Sequence, residues 1–156
     1  MDEAEFREKH EKFMEDFALI FEEYGIPRMA GRIYACLLTS DPPYLTAKEL
    51  TSQTGGSKGS INTITRNMLA IGVLEKVAVP GSRSSYFTIA DPCLIGVLKR
   101  KIEHIRKMRN LLEQGIELFK DRNNNINNIF EQHIKFNHFT EKAIESIIDN
   151  WIMENT

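Results

Sequence analysis

The sequence predicts a mostly helical α+β fold: a winged helix-turn-helix with a two-stranded wing, flanked by N- and C-terminal helices. Three features between residues 45 and 89 carry that expectation. A capped short helix comes first, then a Gly55-Gly56 turn into a helix with one small polar face, then a hairpin with Pro80-Gly81-Ser82-Arg83 at its tip. A helix, a tight turn, a second helix and a hairpin in that order form a unit that inserts a helix into the major groove of duplex DNA.

The first helix is expected from about Ala4 to Tyr24. Phe6, Phe13, Phe17, Ile20, Phe21 and Tyr24 recur at spacings that stack them on one face. Gly25 suits the left-handed residue that ends a helix. Pro27 then suits the first turn of a second helix, which carries Ile33, Tyr34, Leu37 and Leu38 to about Thr39. Asp41-Pro42-Pro43 breaks it. Thr46-Ala47-Lys48-Glu49 reads as a capping box, in which the Thr46 hydroxyl and the Glu49 carboxylate each satisfy the other's amide. The short helix it opens runs to about Gln53. Ser57 is a good N-cap for the next, which Gly72 ends after Ile71. Residues 73–79 and 86–89 are rich in β-branched and aromatic side chains, as the strands of a hairpin are.

Asp91-Pro92 gives a cap and a proline at the first helical position of a long helix to about Asp121. Thirty residues span roughly 45 Å, more than a small domain needs internally. Leu94, Leu98, Ile102, Ile105, Met108, Leu112, Ile116 and Phe119 step by three or four along it as a packing seam does. Asn123-Asn124-Asn125 interrupts the pattern. Ile126, Ile129, Phe130 and Ile134 suggest another helix. Ile144, Ile147, Ile148, Trp151 and Ile152 suggest a last one, starting near Thr140. The expected division is an N-terminal dimerisation helix over 1–24, a winged helix over 25–90 and a helical dimerisation arm over 91–156.

The 156 residues fit one domain or a small module carried on packing helices. A hydrophobic content of 42% and a charged content of 27% are those of an ordinary globular chain. No run approaches the roughly 20 apolar residues of a membrane span. The acidic N-terminus lacks a signal-peptide pattern, and two cysteines form no disulfide framework, so a cytoplasmic location is expected. The net charge of −2 conceals a split: residues 1–24 balance at −6, 25–47 at +1, 48–109 at +7 and 110–156 at −4. A basic centre between acidic flanks suits a chain that meets phosphate with its middle.

On a helical wheel, Ile61, Ile64, Met68 and Ile71 fall on one side of the helix after Ser57. Gly59, Asn62, Thr63 and Arg66 fall on the other. A face this slim can approach base edges, where Asn pairs with adenine and Arg with guanine or a phosphate. Gly59 and Ser60 permit the approach. The free amides near Ser57 and the charge of Lys58 favour a phosphate at the helix start. Arg83 at the wing tip suits the backbone or a narrow minor groove. The expected DNA-binding set is therefore Ser57, Lys58, Gly59, Ser60, Asn62, Thr63, Arg66 and Arg83. Arg28 and Arg32, four apart, either contact phosphates or pack against the acidic first helix.

These residues resemble the GbsR-like branch of the MarR-type regulators. Gly25-Ile26-Pro27-Arg28-Met29-Ala30-Gly31-Arg32-Ile33-Tyr34 followed by Leu37-Leu38 is similar to that branch's opening. Ser57-Lys58-Gly59-Ser60-Ile61, with Arg66 and then Gly72-Val73-Leu74, is similar to its recognition helix. Pro80-Gly81-Ser82-Arg83 with Tyr86 is similar to its wing. The resemblance covers roughly residues 20–110, and Thr65 departs from it where such helices usually carry leucine. It implies a homodimeric transcriptional regulator whose dimer is built from terminal helices, and it carries over no effector.

The apolar surplus on the terminal helices independently favours a homodimer. Two recognition helices about a twofold axis would read a pseudo-palindrome with half-sites about one helical turn apart. Cys36, among apolar neighbours, reads as a small buried hydrophobe. Cys93 follows Pro92 at a helix start, where the dipole can lower a thiol pKa, and so keeps open a redox-sensing regulator. His10, His104, His133 and His138 lack metal-ligand spacing. Phe130, Phe136, Phe139 and Trp151 either line an effector pocket able to hold a quaternary ammonium group or pack a core. No nucleophile–base set or phosphate loop is present, so neither an enzyme, a cofactor nor a metal is expected. The sequence thus points to a homodimeric repressor on double-stranded DNA, released by a small-molecule effector and independent of membranes. A winged-helix adaptor without DNA binding is the main alternative.

Overall fold

The computed structural model describes residues 2–119, 121 and 124–155, leaving aside the side chains of residues 93 and 124–126. The chain divides into two units, Met1–Cys93 and Leu94–Thr156.

The first unit opens with helix α1 (Glu3–Glu23), capped by the Asp2 carboxylate, which accepts from the Glu5 amide at 2.7 Å. Gly25, at φ 72°, ends it. The Gly25 amide donates to Glu22 O and the Ile26 amide to Phe21 O, the paired bonds of a Schellman motif. Helix α2 (Arg28–Leu38) follows. Pro27 is its N-cap rather than its first helical residue, and its carbonyl accepts from Ala30 at 2.8 Å. The two helices approach closely because Gly31 has no side chain: a Cβ there would sit 2.5 Å from Phe17 O and 2.7 Å from Ala18 Cα. The face of α1 turned to α2 is therefore the Met14–Ala18 line, with Phe17 and Phe21 reaching the Tyr34 ring. Phe6, Phe13, Ile20 and Tyr24 remain exposed.

Strand β1 (Leu45–Thr46) leads directly into helix α3 (Ala47–Thr54). The capping box forms as expected: Glu49 N donates to Thr46 Oγ1 at 3.2 Å, and Thr46 N donates to Glu49 Oε2 at 2.7 Å. Gly55, at φ 69°, ends α3. Helix α4 (Lys58–Ala70) begins under Ser57, whose hydroxyl accepts from Ser60 N at 3.1 Å. Strands β2 (Leu74–Val77) and β3 (Tyr86–Ile89) form the hairpin. The sheet has three antiparallel strands in the order β1-β3-β2, with Leu45 opposite Phe87 and Leu74 opposite Ile89. The expected two-stranded wing is the β2–β3 hairpin. The third strand, β1, was not expected: it is two residues long, too short for any periodicity to reveal, and exists through pairing with β3. Ile33, Cys36, Leu50 and Ile61 are the largest fully buried side chains of the core that α2, α3, α4 and the sheet enclose.

The second unit contains helices α5 (Cys93–Phe119) and α6 (Asn124–Glu154). Phe119 meets Phe130, Arg109 meets Glu141 and Arg106 meets Glu145, so the helices run antiparallel. Their apolar seam is Ile95, Ile102 and Ile105 against Ile144 and Ile148, with Leu98 beside it. Leu94 and Met108, expected in the seam, are 69% and 45% exposed; Ile95 takes the inner place. The two helices expected over 126–134 and from Thr140 are a single helix. No glycine or proline lies between Asn124 and Glu154, and the Thr140 hydroxyl bonds the Phe136 carbonyl one turn back at 2.9 Å instead of capping a new start. Of the Asn123-Asn124-Asn125 interruption, α6 begins at Asn124; Asn123 and the Asn124 and Asn125 side chains lie outside the described residues.

Glu141, nearly enclosed, ties α5 and α6 together. Its two oxygens accept from Arg106 Nε and Arg109 Nη1, and Arg106 Nη2 also reaches Glu145 at 2.9 Å. The Arg109 and Arg106 hydrogen bonds hold the Glu141 carboxyl below its ordinary value of 4.5. A carboxyl depressed in the folded state stabilises it fully above the unfolded value, and that contribution is lost as pH falls through the lower folded value. Acid titration of the helical signal is therefore expected to show a loss of stability below pH 4.5. Glu141→Gln should flatten that dependence. An identical acid profile for the variant would remove Glu141 from this role.

Candidate nucleic-acid interface

Helix α4 presents two chemically different sides because its ends are fixed and its inner side is packed. Ile61, Ile64 and Met68 are buried against the core, as is Thr65, whose hydroxyl donates to Ile61 O at 2.7 Å. That bond explains how a threonine is accommodated at a buried position: its polar atom is satisfied within its own helix. Ile71, expected on the inner side, is the helix C-cap and 48% exposed. Ile71 lies one residue past the end of α4, where the chain turns into Gly72 at φ 73°.

Gly59, Asn62, Thr63 and Arg66 all lie on the exposed side of α4, with Lys58 at its start. A Cβ at Gly59 would meet nothing within 4 Å, so the glycine leaves the front of the helix low and open. Ser60 is half-buried, and its amide is taken by the Ser57 hydroxyl, so Ser57 acts as a cap. Arg83 is exposed on a separate element, the wing tip. There Pro80 and Gly81 (φ 81°) occupy the middle of a turn closed by Ser82 N to Val79 O at 3.1 Å, the arrangement of a type II turn.

The cations of the first unit fall into two groups. Arg7, Lys9 and Lys12 are paired along α1 with Glu3, Glu5 and Asp16. Arg28 is held by Glu15 and Glu22. Arg32 is held by Glu11 at 2.6 Å and Glu15 at 3.1 Å, and its Nε donates to the Thr54 carbonyl at the end of α3 at 3.1 Å. Of the two expectations for Arg28 and Arg32, the structure shows packing against the acidic first helix. Lys48, Lys58, Arg66, Lys76 and Arg83 are all exposed, and among the described residues none forms an ion pair. All five belong to α3, α4 or the hairpin. Lys48 and Lys76 were missed as members of this set. Sequence shows where a lysine is, but whether a distant carboxylate neutralises it depends on tertiary packing.

Cys36 is buried, and its thiol donates to Gln53 Oε1 at 3.1 Å. Burial pushes that thiol up to about 11, so it is held as the unreactive thiol rather than the nucleophilic thiolate. The Cys93 side chain lies outside the described residues. Phe136, Phe139 and Trp151 are 67%, 70% and 54% exposed, while Phe130 closes on Phe119 and Gly115. The four aromatics thus form neither an enclosed cage nor a common core. Among the described residues no helix is long and apolar enough to cross a membrane, and no group of three or more His, Cys, Asp or Glu side chains is arranged to hold a metal ion.

No family model matches the chain. It is 28% identical over 110 residues to the HTH-type transcriptional regulator MmpR5 of Mycobacterium tuberculosis (strain ATCC 25618 / H37Rv), an alignment covering 70% of this chain and 67% of that protein. A solved crystal structure of a transcriptional regulator is similar with a TM-score of 0.85 and 22% identity, covering 93% of this chain and 99% of that one. That likeness supports the fold, in which α2–α4 and the β2–β3 hairpin form a winged helix-turn-helix.

Proposed function

We propose that the chain is a DNA-binding transcriptional regulator that works as a homodimeric repressor on a pseudo-palindromic operator. The observation that carries the reading is the division of the first unit's cations. Those of α1 and α2 are neutralised by carboxylates, whereas Lys48, Lys58, Arg66, Lys76 and Arg83, on the helix-turn-helix and wing, form no ion pair among the described residues. A low overall charge is thereby compatible with a surface that displaces counterions from phosphate. In this reading Asn62, Thr63 and Arg66 face the bases, Gly59 and Ser60 allow the approach, Lys58 and the Ser57-capped helix start hold a phosphate, and Arg83 steadies the wing. The likeness to a protein named as an HTH-type transcriptional regulator supports the same class. Within that class, the motifs at 25–34, 57–61 and 80–83 favour the GbsR-like branch of the MarR-type regulators.

The dimer is supported by apolar side chains left uncovered in each unit. They are Phe6, Phe13, Ile20 and Tyr24 on α1, and Phe136, Phe139, Ile147 and Trp151 on α6. Exposed patches of this kind mark interfaces, and a second copy buries both. A small-molecule effector that releases the operator completes the reading. The second unit offers it an open groove of about 490 Å³ with Ile102 and Ile148 on its floor and Lys99, Glu103 and Arg106 at its rim.

Selection of bound duplexes from a random library is expected to return an inverted repeat with half-sites about one helical turn apart. Sedimentation should show a dimer before and after DNA is added. A chain that shifts no duplex at low salt would overturn the DNA reading and favour an adaptor. A monomer would overturn the palindrome.

A further inference from the structure

Ser82 lies at the centre of the wing tip. Its backbone amide closes the Val79–Ser82 turn, donating to Val79 O at 3.1 Å. Its hydroxyl oxygen accepts from the Ser84 amide at 3.1 Å and from the Tyr86 hydroxyl at 3.2 Å. Those two bonds occupy both lone pairs of the oxygen. Tyr86 is held in turn: its ring and that of Tyr44 pack in a T shape, 5.2 Å between centroids. Next to it on β3, Thr88 Oγ1 donates to Pro43 O at 2.7 Å. A continuous set of contacts thus runs from the segment before β1, through β3, to the one hydroxyl that brackets residue 83. The bracketed residue is the exposed Arg83, which has no carboxylate partner among the described residues. The tip contributes nothing to the core, so core packing does not account for three hydrogen bonds converging on its first serine.

We infer that Ser82 and Tyr86 are positioning residues for Arg83, holding the wing backbone in its DNA-bound form before DNA arrives. The inference rests on the DNA reading above. Its physical basis is preorganisation: a loop already fixed loses less conformational freedom on binding, so the contact made by its arginine shows more fully in the affinity. Neither residue needs to touch DNA.

The test has two arms. In the free protein, backbone 15N relaxation should show the Arg83 and Ser84 amides as ordered as β3, and markedly more mobile in Ser82→Ala and Tyr86→Phe. For DNA, affinities for the duplex recovered by selection are compared across a salt series, with a random-sequence duplex alongside. Tyr86→Phe should weaken binding about 3- to 10-fold, the worth of one hydrogen bond, and Ser82→Ala, which removes two, at least as much, both with the salt slope unchanged. Arg83→Ala should weaken binding and lower the slope by about one. In the Arg83→Ala background, Ser82→Ala should have no further effect. Ser82→Thr, which keeps the hydroxyl, should restore both order and affinity. Unchanged wing mobility, or a Ser82→Ala loss that persists without Arg83, overturns the brace while leaving the DNA reading intact. A wild-type chain that binds neither duplex overturns the DNA reading and the role of Arg83 together.

Discussion

Arg66→Ala is expected to weaken binding to the selected operator by roughly 10- to 100-fold, the span of one good bidentate side-chain–base pair, and to leave folding stability unchanged. The residue is exposed on the outer side of α4, and among the described residues it has no ion pair to lose. Removing it therefore leaves no buried charge behind. Because its guanidinium is assigned to a base edge, the loss should be large on the operator and small on random duplex, and selection with the variant should tolerate more bases at one position of each half-site. Lys58→Ala provides the contrast. Lys58 is exposed at the start of α4, and its assignment is to phosphate. Its removal should weaken operator and random duplex alike and lower the salt slope by about one. Equal losses on both duplexes for both variants would exchange base reading for simple charge and remove Arg66 from the specificity set.

What could be read from the sequence was decided within a few residues along the chain. Thr46 with Glu49, and Ser57 with Ser60, cap their helices through bonds spanning three residues, so the cap residues alone locate both starts. Gly25 ends α1 through bonds to Glu22 and Phe21, equally local. The parts misread were decided elsewhere. Strand β1 exists because Leu45 and Thr46 find Phe87 and Tyr86 some forty residues on. Helix α6 continues through a polar stretch because Ile144 and Ile148 pack on α5 and Glu141 is gripped by two of its arginines; tertiary packing outweighs the weak helix propensity of asparagine and histidine. In the candidate site, the exposed side of α4 follows from periodicity, and Gly59, Asn62, Thr63 and Arg66 lie there as expected. Membership of Lys48 and Lys76 in the free cations does not follow from periodicity, since it depends on carboxylates that α1 spends on Arg28 and Arg32.

The inner side of the same helix supplies the opposite expected result. Ile61→Ala should destabilise the protein by about 2–5 kcal/mol, a large share of the roughly 5–15 kcal/mol that holds a domain folded, without altering how the remaining folded protein binds DNA. Ile61 has no solvent exposure and shares the core with Ile33, Cys36 and Leu50. Its removal deletes buried carbons and leaves a void beneath the turn that precedes α4. The Asn62, Thr63 and Arg66 side chains point the other way, so the salt slope and operator preference should match the wild type at temperatures where both are folded. Gly56 sharpens the test, because a Cβ there would lie 2.9 Å from Ile61 Cδ1 and 3.0 Å from Met29 Cε. Gly56→Ala should be destabilising in the wild type, where the methyl has no room. It should be less so, or stabilising, in Ile61→Ala, where the void receives the methyl. Residues in contact through one cavity couple in this way. Additive effects in chemical denaturation would mean that the turn and the helix pack independently.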